Sequence, residues 1–166
     1  MIEIEARSGF NLPPHVQTWN YLDSCRSEFK VGICNLLKQL SKSKSAPLLN
    51  TDEFWSACRQ ERTITALAID YGNPLEMKVA GMAMMFIHQK FSVINGYIED
   101  VVVDENYQRQ GIAVKLMEKL LEVAQALHLK SVNLSSGNGP DRAAAHKLYL
   151  KLGFEKRDST LFRKKL

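Results

Sequence analysis

At 166 residues, 45% of them hydrophobic and 24% charged, the chain has the size and balance of one globular domain, able to bury a core without disulfides or metal. Its net charge of +4 comes from interleaved acids and bases without the aromatic-basic stripe of a nucleic-acid platform, and no apolar run approaches the ~20 residues of a membrane span. Neither a nucleic acid nor a membrane is therefore an expected partner.

The opening "MIEIEARSGF" alternates as a strand does and lacks the basic-then-apolar order of a secretory signal, so the expected compartment is the cytoplasm. Residues 2–7 read as a half-buried strand, and "LPPH" (Leu12–His15) ends it, because proline cannot continue a ladder. From Trp19 to Leu40 apolar residues recur at helical spacing around Gly32, as one long helix or two short ones. "SKSKSAP" (Ser41–Pro47) reads as a loop, and Asn50, Thr51 or Asp52 caps a short helix after it. Next, "RTITALAIDYG" and "MKVAGMAMMFIHQKFSV" predict two antiparallel strands joined by the hairpin turn "GNPLE", with Met82, Met84 and Met85 as core filler.

"GYIEDVVV" (Gly96–Val103) reads as the most buried strand. A helix starting near Gln108 follows, amphipathic through Ile112, Leu116, Leu120, Val123 and Leu127. "KSVNLSS" is a further strand, "DRAAAHKLYLKLG" a helix closed by Gly153, and "LFRKKL" a terminal strand. The three cysteines, Cys25, Cys34 and Cys58, match no zinc or redox spacing and read as free thiols. The four histidines are scattered away from carboxylates and cysteines, so no metal site is expected.

The informative stretch is "QRQGIA", Gln108 to Ala113, where a strand passes through a short polar turn into a helix. A helix start carries backbone N–H groups without intrahelical partners and about half a positive charge, and therefore receives phosphates readily. Gly111 and the small Ala113 let an anion approach that backbone, whereas a bland reading of Gly111 alone is that it eases a tight turn.

"QRQGIA" resembles the Q/R-x-x-G-x-G/A motif of the GNAT superfamily of N-acetyltransferases, through Gln108, Gly111 and Ala113. "AAHKLYLKLGFEKR" is similar to that family's A-x-x-L-Y-x-x-x-G-F segment, through Ala145, Leu148, Tyr149, Gly153 and Phe154. The resemblance implies an α/β fold: a mixed, mostly antiparallel central sheet, helices on both faces, and a splay between the fourth and fifth strands that admits acetyl-CoA. It also implies a single domain over 1–166, with 77–166 binding the cofactor and 8–60 forming variable, acceptor-side helices. Main-chain groups of Val101, Val102 and Val103 would bond the acetyl and pantetheine amides, and the loop of Gln108, Arg109, Gln110, Gly111, Ile112 and Ala113 the pyrophosphate. Dimers are common in the family, so a homodimer is one implied assembly.

Acetyl transfer to an amine requires a neutral nucleophile and a proton for the departing thiolate. Tyr149 stands at the position of the family's general acid, and Glu99 and Asp100 are the candidate bases or substrate ligands. Adjacent strand residues face opposite sides unless a bulge intervenes. Glu99 is preferred because regular alternation sets it on one face with Tyr97, Val101 and Val103. Arg142 occupies the place of a frequent family asparagine that contacts the cofactor, and Asn138 upstream offers an amide in its stead. The activity implied is transfer of acetyl from acetyl-CoA to a primary amine of a small molecule. A protein lysine or N-terminal amine is the alternative acceptor, and a non-catalytic acyl-CoA-binding regulatory module is the alternative of another class.

Overall fold

A computed structural model describes residues 1–8, 26–40, 62–73 and 76–165. Among them, five strands form one sheet in chain order: β1 (Ile2–Ser8), β2 (Thr63–Asn73), β3 (Glu76–Gln89), β4 (Ile94–Val103) and β5 (Ser131–Leu134). The helices are α1 (Arg26–Leu40), α2 (Ile112–Ala126) and α3 (Ala143–Lys151). β1 to β4 pair antiparallel in succession, and β4 pairs β5 in parallel, which is the mixed, mostly antiparallel sheet that the resemblance implies. Two compact units divide the chain, Met1–Ser135 with the sheet, α1 and α2, and Ser136–Leu166 with α3.

Each sheet face of the first unit has its own core. On one, Ile33 and Leu36 of α1 join Leu67, Ile69, Val79, Met82 and Val102 in a buried cluster. A side chain at Gly32 would bring its Cβ within 2.8 Å of Val79 Cγ2, so α1 runs unbroken through a glycine that its close approach to β3 requires. The pattern around Gly32 thus resolves into one helix rather than two from Arg26 onward. On the opposite face α2 buries Ile112, Leu116, Met117, Leu120 and Val123, with Leu116 and Ile112 reaching Gly81 of β3. Full burial of each such aliphatic side chain contributes about 1.5–3 kcal/mol.

The most buried strand is β2 rather than β4: every residue from Thr63 to Ile69 is buried. β2 has β1 on one edge and β3 on the other over that span, whereas β4 outruns its partner β5. Met82 and Met85 are in the core, as their apolar context predicts, with Met84 at its border. The long run ending in "KFSV" is cut by a turn in which Lys90 N–H donates to Val93 C=O at 2.8 Å, so β4 begins at Ile94. Residues 161–165 form no strand, and Leu161 and Phe162 are exposed. An apolar alternation becomes a strand only by pairing, and these residues belong to none of the five paired strands. The segment from Trp19 to 25, the breaker at Leu12–His15, the loop at Ser41–Pro47, the short helix after Asn50, Thr51 or Asp52, and Cys25 and Cys58 lie outside the described residues; Cys34 is a buried free thiol.

α2 ends in a Schellman closure: His128 N–H donates to Gln125 C=O at 2.9 Å, and Leu129 N–H to Ala124 C=O at 3.0 Å. The residue at the left-handed position is His128, at φ 54°, where α3 uses Gly153 at φ 83° for the same closure. His128 is exposed, and its Cβ is strained in that conformation as a glycine would not be. His128→Gly is expected to stabilise the protein by about 0.5–1 kcal/mol, read as a higher thermal midpoint; an unchanged or lower midpoint refutes this account.

Candidate active site

The end of β4 departs from regular pairing at the two acids. Met84 faces Glu99 and Met82 faces Val102, so Asp100 and Val101 together oppose Ala83 in a β-bulge. Asp100 takes φ 52°, a left-handed conformation that costs a non-glycine residue on the order of 1 kcal/mol. This bulge corrects the facing derived from simple alternation: Glu99 shares its face with Tyr97 and Val102, and not with Val101 and Val103. Glu99 is exposed, whereas Asp100 is half-buried and its carboxyl is raised above the ordinary range by burial. Beyond Ile98, paired with Leu134, the β4–β5 ladder stops while β4 continues to Val103. Among the described residues, the β5-side edge of Glu99 to Val103, which includes Val101, Val102 and Val103, thus holds backbone donors and acceptors outside the β4–β5 ladder.

The next turn is braced from within and from two other elements. Asp104 Oδ1 accepts from Asn106 N–H and from its side-chain amide, both at 2.9 Å, and Tyr107 N–H donates to Asp104 C=O at 2.8 Å. From α1, the Gln39 amide donates to Asp104 Oδ2 at 2.9 Å while its carbonyl accepts Glu105 N–H at 3.1 Å. Burial alone would raise the Asp104 carboxyl, but the Gln39 and Asn106 hydrogen bonds outweigh it and hold the group below the ordinary range. From β2, Asp70 accepts the Tyr107 hydroxyl at 2.9 Å, and the Gly72 N–H with that hydroxyl keeps Asp70 ionised to lower pH than usual.

The sequence-predicted loop follows. The Gln108 side chain bonds Val103 C=O at 3.3 Å and thereby closes the turn on its own strand. Arg109 and Gly111 are left-handed at φ 61° and 78°, and Gly111 is the N-cap of α2. Among the described residues no side chain caps that helix at Gly111, and the first intrahelical bond is Lys115 N–H to Gly111 C=O at 3.1 Å, so the N–H groups between them have no intrahelical acceptor. A Cβ on Gly111 would meet no atom within 4 Å. Within the protein, then, it is the left-handed backbone angle that favours glycine here, and the space above the helix start is open. Buried Ile112 anchors the turn from beneath, and Ala113 is half-buried.

In the second unit, Tyr149 lies on α3 and is half-buried. Burial pushes its hydroxyl above the ordinary tyrosine value, against the opposing charge of Arg142, so the group keeps its proton at neutral pH. Phe154 packs edge-on to its ring at a centroid distance of 6.1 Å, and Phe154 N–H closes on Tyr149 C=O at 3.0 Å. The G-F pair of the sequence motif is thus the helix stop that fixes Tyr149. Arg142 precedes α3 and approaches Asp141 at 3.8 Å, Asn138 is exposed, and His146 Nε2 lies 3.0 Å from Gly137 C=O. Val101–Ala113 belong to one unit, and Asn138, Arg142 and Tyr149 to the other.

Sequence reading missed Gln39, and no local signal marks it, since its partners lie 65 and 66 positions away. Among the described residues no group of three or more His, Cys, Asp or Glu side chains could hold a metal ion, and no helix is long and apolar enough to cross a membrane.

Comparison with known proteins adds family to geometry. The chain is 38% identical over 81 residues to N-acetylaspartate synthetase of Xenopus tropicalis, a match covering 49% of this chain and 28% of that protein. It is 35% identical over 60 residues to the uncharacterised N-acetyltransferase YedL of Escherichia coli (strain K12), covering 36% of this chain and 38% of that one. The chain thus matches well under half the length of either relative. Among solved structures, an aminoglycoside acetyltransferase from an uncultured soil metagenomic sample, in complex with sisomicin, superposes at TM-score 0.73 and 17% identity, over 99% of this chain and 97% of that one. That likeness is one of fold. Residues 33–154 match the acetyltransferase (GNAT) family, and on that match the chain belongs to the GNAT family.

Proposed function

We propose that this chain transfers the acetyl group of acetyl-CoA to a primary amine of a small molecule, by direct attack of the amine on the thioester. The observation that carries the reading is the uncapped start of α2, with left-handed Gly111 opening free space above it, next to the β4 edge where the β5 ladder has ended. Backbone donors at a helix start fit a diphosphate, and an unladdered strand edge fits the amides of a pantetheine arm. A relative named for N-acetylaspartate, an acetylated amino acid, favours a small acceptor over a protein one.

Acetyl-CoA supplies an activated acetyl thioester. N–H groups of Gln108 to Ala113 hold its pyrophosphate, and backbone groups of Val101 to Val103 orient its arm. An alkylamine with pKa near 10.4 arrives protonated, so a base must first remove a proton from its nitrogen. Asp100 takes this part ahead of Glu99, because a half-buried carboxyl raised by desolvation is the better matched proton acceptor. The nitrogen then bonds the acetyl carbon, the carbon–sulfur bond breaks, the Tyr149 hydroxyl gives its proton to the departing sulfur, and the second proton lost from the new amide nitrogen restores that hydroxyl.

The first experiment presents pools of amines with acetyl-CoA and measures free CoA thiol; failure of every small amine alongside modification of a peptide lysine or N-terminus would overturn the small-molecule reading. CoA binding without turnover of any amine would instead support the non-catalytic module. With an acceptor in hand, kcat/KM should rise with pH through a limb above the ordinary aspartate range, as the base must be ionised. Asp100→Asn should abolish that limb and Glu99→Gln should keep it. The reverse pair of profiles would make Glu99 the base.

A further inference from the structure

We infer that Gln39 of α1 is a positioning residue for the acetyl-CoA loop, an inference that rests on the function proposed above. Its side-chain amide is used at both ends, the NH2 on Asp104 Oδ2 and the carbonyl on Glu105 N–H. Those partners are the two residues that carry the chain from the end of β4 into the turn before Gly111. Only one orientation of the amide works: flipped, its oxygen would face a carboxylate and its NH2 an N–H donor. Asp104 is committed on its other oxygen to Asn106, so the clamp fixes the carboxylate completely.

Rigidity at this point matters for a ligand held by backbone N–H groups. Such donors select an anion by their direction, and direction follows from where the turn begins. Leu36 in the buried cluster, with Leu37 and Leu40 packed against it, seats the last turn of α1 on the sheet, so Gln39 ties the loop to the packed core of the first unit. α1 itself lies in the stretch that the sequence assigns to the acceptor side. Gln39 therefore joins the two halves of the substrate site by one side chain, and it acts through Asp104 and Glu105 rather than by touching substrate.

The test is a charge swap. Gln39→Glu removes the donor and sets two carboxylates against each other, and it should weaken CoA binding, read by titration calorimetry, about tenfold. Gln39→Met, which keeps length and loses both bonds without adding charge, should weaken it about threefold. The double variant Gln39→Glu with Asp104→Asn restores a donor facing an acceptor and should recover affinity to within about twofold of the parent. The kinetic loss should fall in KM for acetyl-CoA rather than in kcat. Parent-like CoA affinity in both Gln39 variants, or no recovery in the double variant, overturns the inference while the parent still binds CoA. A parent protein that binds no CoA overturns the proposed function itself.

Discussion

Tyr149→Phe is expected to lower kcat by about a hundredfold or more, the usual scale for losing a positioned general acid. The ring and its edge-on packing with Phe154 remain, as does the backbone closure from Phe154 to Tyr149, so the thermal midpoint should move little. The substitution is therefore diagnostic of chemistry rather than of folding. CoA affinity should also survive, because the loop proposed to hold the diphosphate belongs to the other unit. Unchanged turnover in Tyr149→Phe would remove the tyrosine from the mechanism. The sign of its shift agrees with the acid role: raised by burial, the hydroxyl stays protonated across neutral pH and limits the rate only as pH rises beyond the ordinary tyrosine value of about 10.

Gly111→Val should cost both stability and ligand. At φ 78° a β-branched residue is strained by about 1–2 kcal/mol, a fall in thermal midpoint of about 2–8 °C for a domain of this size. Its side chain would also stand in the space that is open above the start of α2, and CoA affinity should fall about a hundredfold, or about 2.7 kcal/mol. Gly111→Asn separates the two demands, since asparagine tolerates the left-handed region while still filling that space. It should keep the midpoint close to the parent's and lose most of the affinity. Should Gly111→Asn bind CoA as the parent does, the open space is not where the diphosphate sits, and Gly111 serves the turn alone.

Much of this was legible in the sequence because it is local. Alternation marked β1, runs of β-branched and apolar residues marked β2 and β3, a stripe of apolar residues marked α2, and a terminal glycine marked the stop of α3. The loop "QRQGIA" was legible for the same reason: a helix start, a glycine and a small residue are adjacent in the chain. Predictions failed where the outcome depended on a partner. Residues 161–165 carry a strand pattern but join no ladder, and the rank of β2 as the most buried strand follows from having a neighbour on each edge.

The acids of β4 show the boundary most sharply. Their presence in an apolar strand was plain. How Glu99 is set relative to Val101, Val102 and Val103 was decided by a bulge, and a bulge is a mismatch between two strands that neither strand's sequence records. Gln39 is a stronger case, for its meaning exists only because α1 and the turn after β4 meet in space. By itself, then, the sequence determined the elements set by periodicity, the helix start that suits a diphosphate, and the tyrosine expected to act as an acid. Only the tertiary structure decided which face each β4 acid takes, what braces the loop, and why Gly32 must be small. Local conformation follows from neighbouring side chains, whereas facing, burial and long-range hydrogen bonds are set by which elements come to lie against each other.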